Sequence, residues 1–305
     1  MDERNTGTGR DNGAVRYILA LLTICTVIVL CRSVSIGRTL DAQLKDEAAR
    51  IAVLESAAET LMTRLGQTER EITLTGSLPQ EIERMRDRFF DEARLLESMV
   101  QEGKTGVKIA YLTFDDGPYD LTWQYLDVLR EYGVLATFFQ RGRDWDRFGD
   151  IYLAVRDGCH TMGNHTYSHK IRNGIYRSAD VFMEDLLSNR QYLKEKTGVT
   201  SEVMRFPGGS STAGKLKDSI IERLRSEHYA YVDWNGATGD GLYEASANEY
   251  RDNVLKGTDG RKFLVVLMHD YNRDTLAALP EIIEGLREQG YVFLPLFYDS
   301  LAVNR

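Results

Sequence analysis

From residue 108 onward, short apolar runs alternate with longer amphipathic stretches. The apolar runs at 109–114, 134–139, 161–162, 203–206, 230–234, 263–268 and 291–296 predict strands. Between them, apolar positions recur at helical spacing over 121–132, 148–156, 179–196, 216–227, 247–255 and 276–289. Seven strands alternating with helices predict a parallel sheet covered by helices. This many strand–helix units favour a closed or nearly closed barrel over an open sheet. In a barrel, the residues that end the strands converge on one mouth.

Upstream the pattern changes three times. Residues 1–13 are polar, Gly-containing and aperiodic, the composition of a disordered tail. Residues 17–31 are uncharged and apolar, between Arg16 and Arg32. As a helix they span about 22 Å against a hydrocarbon core of about 30 Å, and snorkelling arginines with Val34 and Ile36 extend the reach. Residues 14–36 are therefore expected to form a single-pass membrane anchor. Ser33 and Ser35 make a cleaved signal peptide, and hence a secreted chain, the alternative. Residues 37–76 follow heptads, with Leu44, Ile51, Ala58, Leu65 and Ile72 on one seam position and Leu40, Leu54 and Leu61 on the other. They predict a coiled-coil stalk able to form a homo-oligomer; a single amphipathic helix folded onto the main domain is the alternative. Gly76, Ser77 and Pro79 then restart a helix carrying Ile82, Met85, Phe89, Ala93, Leu96 and Val100. Residues 77–106 read as a helical linker, and 107–305 as the main domain.

Composition narrows the function. A hydrophobic share of 43% supports a real core, and a net charge of −8 with pI near 5.3 argues against a nucleic-acid partner, which favours a basic face. Three cysteines make no disulfide framework, and Cys159 reads as a small buried side chain.

Asp115 and Asp116 end the strand at 109–114, in the stretch Thr113-Phe114-Asp115-Asp116-Gly117-Pro118. Alone, such a pair is an ordinary turn. Partners for the two acids lie at other strand ends. His165 and His169 follow the strand at 161–162, and on a helical turn their spacing brings two imidazoles to one side of a metal. Two histidines and a carboxylate leave coordination positions open, as catalytic sites do. Arg205, Pro207 and Gly208-Gly209 end a third strand, Asp233-Trp234-Asn235 a fourth, and His269 the apolar run at 263–268. Singly, each has a structural explanation as cap, ion pair or core histidine; their order along successive strand ends is harder to produce by accident. His160 and His228 read as structural.

The constellation resembles the polysaccharide deacetylases of the NodB-homology type, carbohydrate esterase family 4, over residues 108–296. The motifs that carry the resemblance are TFDDGP at 113–118, HTYSH at 165–169, RFPGG at 205–209, DWN at 233–235 and LMH at 267–269. The resemblance implies a deformed (β/α)7-type barrel that removes acetyl groups from an N-acetylated cell-wall glycan, peptidoglycan above all. It implies one divalent metal, Zn2+ in the first instance and Co2+ or another ion otherwise, on Asp116, His165 and His169. Asp115 would be the general base, oriented by Arg205, and His269 the general acid, paired with Asp233. Trp234 and Leu267 would line the acetyl pocket beside Pro207, and the Tyr119 backbone N–H would hold the oxyanion. An O-acetyl xylan esterase or a chitin-oligomer deacetylase are alternatives on the same machinery. An inactive glycan-binding membrane scaffold is the alternative of another class, and the intact set of acids and histidines argues against it. With the anchor upstream, the catalytic domain is expected outside the cell membrane.

Overall fold

Eight parallel strands form one sheet in the computed structural model, which describes residues 80–304. They are β1 (Lys108–Asp115), β2 (Thr137–Gln140), β3 (Thr161–Asn164), β4 (Val203–Met204), β5 (Ala230–Tyr231), β6 (Gly236–Ala237), β7 (Phe263–His269) and β8 (Tyr291–Phe293). The order is β5-β4-β3-β2-β1-β7-β6, with β8 against the start of β1. Among the described residues seven α-helices accompany them, with two 3-10 helices at Ile175–Arg177 and Ser210–Leu216: α1 (Gln80–Gln101), α2 (Thr122–Glu131), α3 (Trp145–Asp157), α4 (Ala179–Thr197), α5 (Lys217–Ser226), α6 (Ala247–Lys256) and α7 (Arg273–Glu288). Side-chain oxygens of Asp144, Ser178, Ser246 and Asn272 cap α3, α4, α6 and α7 by accepting first-turn N–H groups. Strand β6 was not expected; two small residues, Gly236 and Ala237, carry no hydrophobic period.

Both faces of β1 are buried, which is why its sequence is a nearly unbroken apolar run. Ala110, Leu112 and Phe114 pack outward with Tyr125, Tyr152, Tyr250 and Leu279 of the helix layer. Ile109 and Tyr111 pack inward with Phe139, Val203, Val232 and Val265. Strands several places apart in the order thus share one interior cluster, so the sheet curls. No ladder joins β5 to β6; instead the intervening segment crosses over, Val232 N–H donating to Met204 O and Asn235 N–H to Val265 O, each at 3.1 Å. The expected barrel is present as an incomplete, deformed one.

Phe89, Ala93, Leu96 and Val100 of α1 enter the same interior cluster. Glu97 between them is buried and accepts hydrogen bonds from the Tyr111 hydroxyl at 2.5 Å and from Leu301 N–H at 3.0 Å. Within 77–106, expected as a linker, the helix therefore packs into the core of the domain. The tail, the anchor at 14–36 and the stalk at 37–76 lie outside the described residues. Among the described residues, no helix is long and apolar enough to cross a membrane.

Candidate active site

Because every strand pairing is parallel, the C-terminal strand ends share one edge. The register sets Asp115 beside His269, Gln140 beside Asn164 and Asn164 beside Met204. The residues that follow these ends, Asp116, Arg141, His165, Arg205 and Asp270, stand around one mouth.

Asp116, His165 and His169 come together there, with their ligand atoms all within 4.8 Å of one another. Nε2 of His169 lies 3.1 Å from Asp116 Oδ1, and Nε2 of His165 lies 3.6 Å from it. The His165 Nδ1 contacts the Arg205 carbonyl oxygen at 2.9 Å. A carbonyl only accepts, so Nδ1 carries the hydrogen and Nε2 presents its lone pair to the cluster. Burial, and then the neighbouring His165, hold the His169 pKa well below the usual histidine range, which keeps its imidazole neutral. Asp116 Oδ1 is buried and has no hydrogen-bond partner. Lone pairs converging on an unsatisfied carboxylate oxygen suit a divalent cation, and nitrogen with oxygen donors suits zinc or a related metal. The two histidines do not share a helical turn as expected. Residues 165–169 form an irregular loop, with φ of 62° at Thr166 and 55° at His169, and Asp116 at 72°. This loop is shaped by tertiary hydrogen bonds: Asn164 Oδ1 accepts from Thr166 N–H, and Asp185 Oδ1 accepts from Tyr167 and Ser168 N–H.

Arg205 is fully buried and reaches across the mouth. Its guanidinium donates to Asp115 Oδ1 at 2.9 Å, Thr113 Oγ1 at 2.7 Å and Val232 O at 3.1 Å. Three strand spacings separate β4 from β1, about 14 Å in a flat sheet, so this contact again reports curvature. Burial pulls the Arg205 pKa down and the Asp115 charge opposes it. The other carboxylate oxygen, Asp115 Oδ2, faces His165 Nε2 at 3.8 Å.

The partner of His269 differs from expectation. Asp233 accepts hydrogen bonds from the N–H and hydroxyl of Ser210, not from His269. Asp240 takes the expected place: its Oδ1 lies 2.7 Å from His269 Nδ1, and its Oδ2 accepts from His269 N–H and Thr275 Oγ1. Burial acts to lower the His269 pKa, but the hydrogen bond and charge of Asp240, with Asp115 and Asp116, outweigh it and leave it raised. Asp240 was missed because its loop has no periodicity. The signal was its flanking glycines: a Cβ on Gly241 would lie 2.5 Å from His269 Cε1.

The remaining expected residues lie at or next to the same strand ends. Trp234 is partly exposed, with its ring 5.8 Å from the Arg205 guanidinium and close above Gly209. Leu267 is half-buried two residues before His269 on β7, and Pro207 is buried with its carbonyl accepting from the Tyr176 hydroxyl. The Tyr119 N–H, expected to face an oxyanion, donates instead to Thr122 Oγ1 at 2.9 Å. Tyr271, not anticipated, packs between the Tyr119 and His269 rings at 5.2 and 5.1 Å. His160 is buried and its Nδ1 accepts from Ala136 N–H, a structural role, while His228 is exposed beside Glu202.

The polysaccharide deacetylase family model matches residues 102–229. A putative polysaccharide deacetylase of Bacillus subtilis, YheN, is 31% identical over 73% of this chain and 80% of its own length. This chain belongs to the polysaccharide deacetylase family. Within that family, a peptidoglycan-N-acetylglucosamine deacetylase of Bacillus cereus is 29% identical over 61% of this chain and 68% of its own. The crystal structure of the catalytic domain of a peptidoglycan N-acetylglucosamine deacetylase from Eubacterium rectale superposes with a TM-score of 0.61 at 34% identity, covering 66% of this chain and 94% of that one.

Proposed function

We propose that this family member removes the N-acetyl group from a cell-wall glycan, peptidoglycan N-acetylglucosamine in the first place. The observation that carries the reading is a pair of fixed acid–base groups at the same strand edge as the candidate metal cluster. One carboxylate, Asp115, is fixed by a buried guanidinium, and one imidazole, His269, is fixed by a buried carboxylate. The relatives with peptidoglycan N-acetylglucosamine deacetylase names support the choice of substrate. Relatives named as a chitin deacetylase and a bifunctional xylanase/deacetylase define the alternatives.

An acetamide is a poor electrophile with a poor leaving group, so hydrolysis needs an activated water and a protonated amine. A divalent ion on Asp116, His165 and His169, with zinc our choice, would supply Lewis acidity toward the acetyl carbonyl and lower the pKa of a water. Asp115, oriented by Arg205 through Oδ1 and with Oδ2 turned toward His165, takes the proton from the attacking water. His269, with its raised pKa and Nδ1 fixed on Asp240, gives a proton to the departing amine through Nε2. Trp234 and Leu267 shape the acetyl pocket, and the exposed rings of Trp234 and Tyr271 offer apolar faces to a sugar. The uncharged run at 17–31 between Arg16 and Arg32 supports an anchor that keeps this mouth outside the membrane. The heptads support a stalk between them.

Mass spectrometry of peptidoglycan fragments, before and after treatment with the full chain and added zinc, tests the reading. Loss of acetyl groups from N-acetylglucosamine is expected. Acetate release from chitin oligomers or acetylated xylan with peptidoglycan untouched overturns the substrate. No release from any of the three, with zinc bound, overturns the activity.

A further inference from the structure

Asp270 is a buried acid that the chemistry above leaves unused. It follows His269 at the end of β7, is fully buried, and burial pushes its pKa up to about 7. Its Oδ2 accepts from Thr122 Oγ1 at 2.5 Å, and its Oδ1 has no hydrogen-bond partner. Burying a carboxyl group with half its bonding capacity unmet costs free energy, so its position calls for an explanation. The group lies directly beneath the loop that follows β1: a Cβ on Gly117 would stand 2.6 Å from Oδ2 and 3.0 Å from Oδ1. From the other side the same loop is held by Arg141 N–H donating to Gly117 O at 3.1 Å.

Thr122 connects this acid to the loop. Its hydroxyl has one hydrogen to give and lone pairs to receive. Asp270, when ionised, can only accept, so it claims the hydroxyl hydrogen and turns an Oγ1 lone pair toward the Tyr119 N–H, 2.9 Å away. Tyr119 stands three residues after the metal-ligand candidate Asp116 and beside His269 through Tyr271. We infer that Asp270 and Thr122 form a latch that positions the Asp116–Tyr119 loop, holding the Tyr119 N–H on Thr122 Oγ1 until a substrate carbonyl oxygen takes it over. Asp270 is then a positioning residue, acting through Thr122 on a backbone donor.

This inference rests on the proposed deacetylation for its kinetic consequence, but the latch itself has a readout that needs no turnover. Four variants of the full chain test it: Thr122→Val, which keeps the shape and removes the acceptor; Thr122→Ser, which keeps the hydroxyl; Asp270→Asn; and Asp270→Ala. Hydrogen exchange at the Tyr119 amide is expected to be slow in the parent and in Thr122→Ser, and at least tenfold faster in Thr122→Val and Asp270→Ala. With zinc and N-acetylglucosamine oligomers, Thr122→Val is expected to lower kcat about tenfold with KM and the zinc Kd within about twofold. Asp270→Asn, which retains one carbonyl acceptor, should fall between, and Thr122→Val with Asp270→Ala together should be no worse than the stronger single change, as members of one unit behave. Parent-like exchange at Tyr119 in folded Thr122→Val overturns the latch whether or not the chain deacetylates anything. Equal impairment of Thr122→Ser and Thr122→Val reduces Thr122 to packing and also overturns it. A parent without deacetylase activity but with the expected exchange pattern overturns the proposed function and leaves the latch standing.

Discussion

Replacing Asp240 by asparagine distinguishes the carboxylate that holds His269 in the structure from Asp233, the one the sequence reading paired with it. Asp240 is almost fully buried and holds His269 Nδ1 at 2.7 Å, while its second oxygen receives His269 N–H at 2.9 Å and Thr275 Oγ1 at 2.8 Å. Asparagine keeps the shape and one acceptor but removes the charge. A hydrogen bond to a charged group contributes about 1.5–3 kcal/mol, which is roughly a 10- to 150-fold loss in kcat/KM if the protonated imidazole is needed in the transition state. The sign of the pH effect follows from the raised His269 pKa. A group that must be protonated supports activity below its folded pKa and loses it as pH rises through that value. Its contribution to stability has the same sign, fully present below the ordinary histidine pKa and lost above the raised one. Without the Asp240 charge, burial pulls the imidazole pKa down, so the alkaline limb of kcat/KM should move to lower pH in Asp240→Asn. Asp233→Asn, which touches Ser210, should leave that limb in place. Acetate release from N-acetylglucosamine oligomers, followed across pH for the parent and both variants, reads this directly. Melting curves check that each variant folds. An unmoved limb in folded Asp240→Asn, or a moved one in Asp233→Asn, refutes the assignment.

Asp116→Asn should weaken zinc binding by at least about 100-fold, since even outer partners of a metal site cost 10–100-fold; titration calorimetry showing parent-like affinity would place the metal elsewhere. Arg205→Met leaves the Asp115 carboxylate buried and unpaired, an expected loss of about 3–5 kcal/mol, or roughly 6–20 °C in Tm for a domain of this size. A melting temperature equal to the parent's contradicts the buried pair. Glu97 has a pKa raised by burial, so its support of the fold is fully present below the ordinary glutamate pKa and lost as pH rises through the raised one. Glu97→Gln should flatten that part of the stability profile in urea unfolding. Glu97→Leu, which strands the Tyr111 hydroxyl and Leu301 N–H, should cost about 1–3 kcal/mol at every pH.

What the sequence made legible were strand ends. An apolar run stopping at a polar residue locates a barrel edge, and Asp115, Asp116, His165, Arg205 and His269 all stand at that edge because each directly ends or follows such a run. Asp240 and Asp270 needed coordinates. Asp240 sits in an aperiodic loop, and the acid of Asp270 gains meaning only through Thr122, 148 residues away. The first helix shows a different limit. Its apolar stripe at 89, 93, 96 and 100 announced an amphipathic helix but not what it packs against, and the partner is the barrel interior. Periodicity reports that a face is buried, and tertiary structure decides where.

The histidine loop shows how far tertiary contacts override local spacing. Four-residue spacing fits a helix, yet Thr166 and His169 adopt left-handed backbone, as Asp116 does across the site. Each such non-glycine residue costs about 1–3 kcal/mol and persists only where surrounding bonds over-determine it. The bonds come from α4. Asp185 receives the Tyr167 and Ser168 N–H groups, and Asn189, one turn later, donates to Gln140 O at 2.8 Å and to Asn164 Oδ1 at 2.9 Å. Asn164 in turn receives the Thr166 N–H, and the Arg141 guanidinium donates to Ser168 O. The ligand geometry is therefore written by a helix that contributes no ligand. Its trace in the sequence is an Asp and an Asn four residues apart alongside an otherwise apolar stripe of Phe182, Leu186 and Leu193. Polar residues placed there stabilise a helix poorly, and here their hydrogen bonds hold the strained loop above.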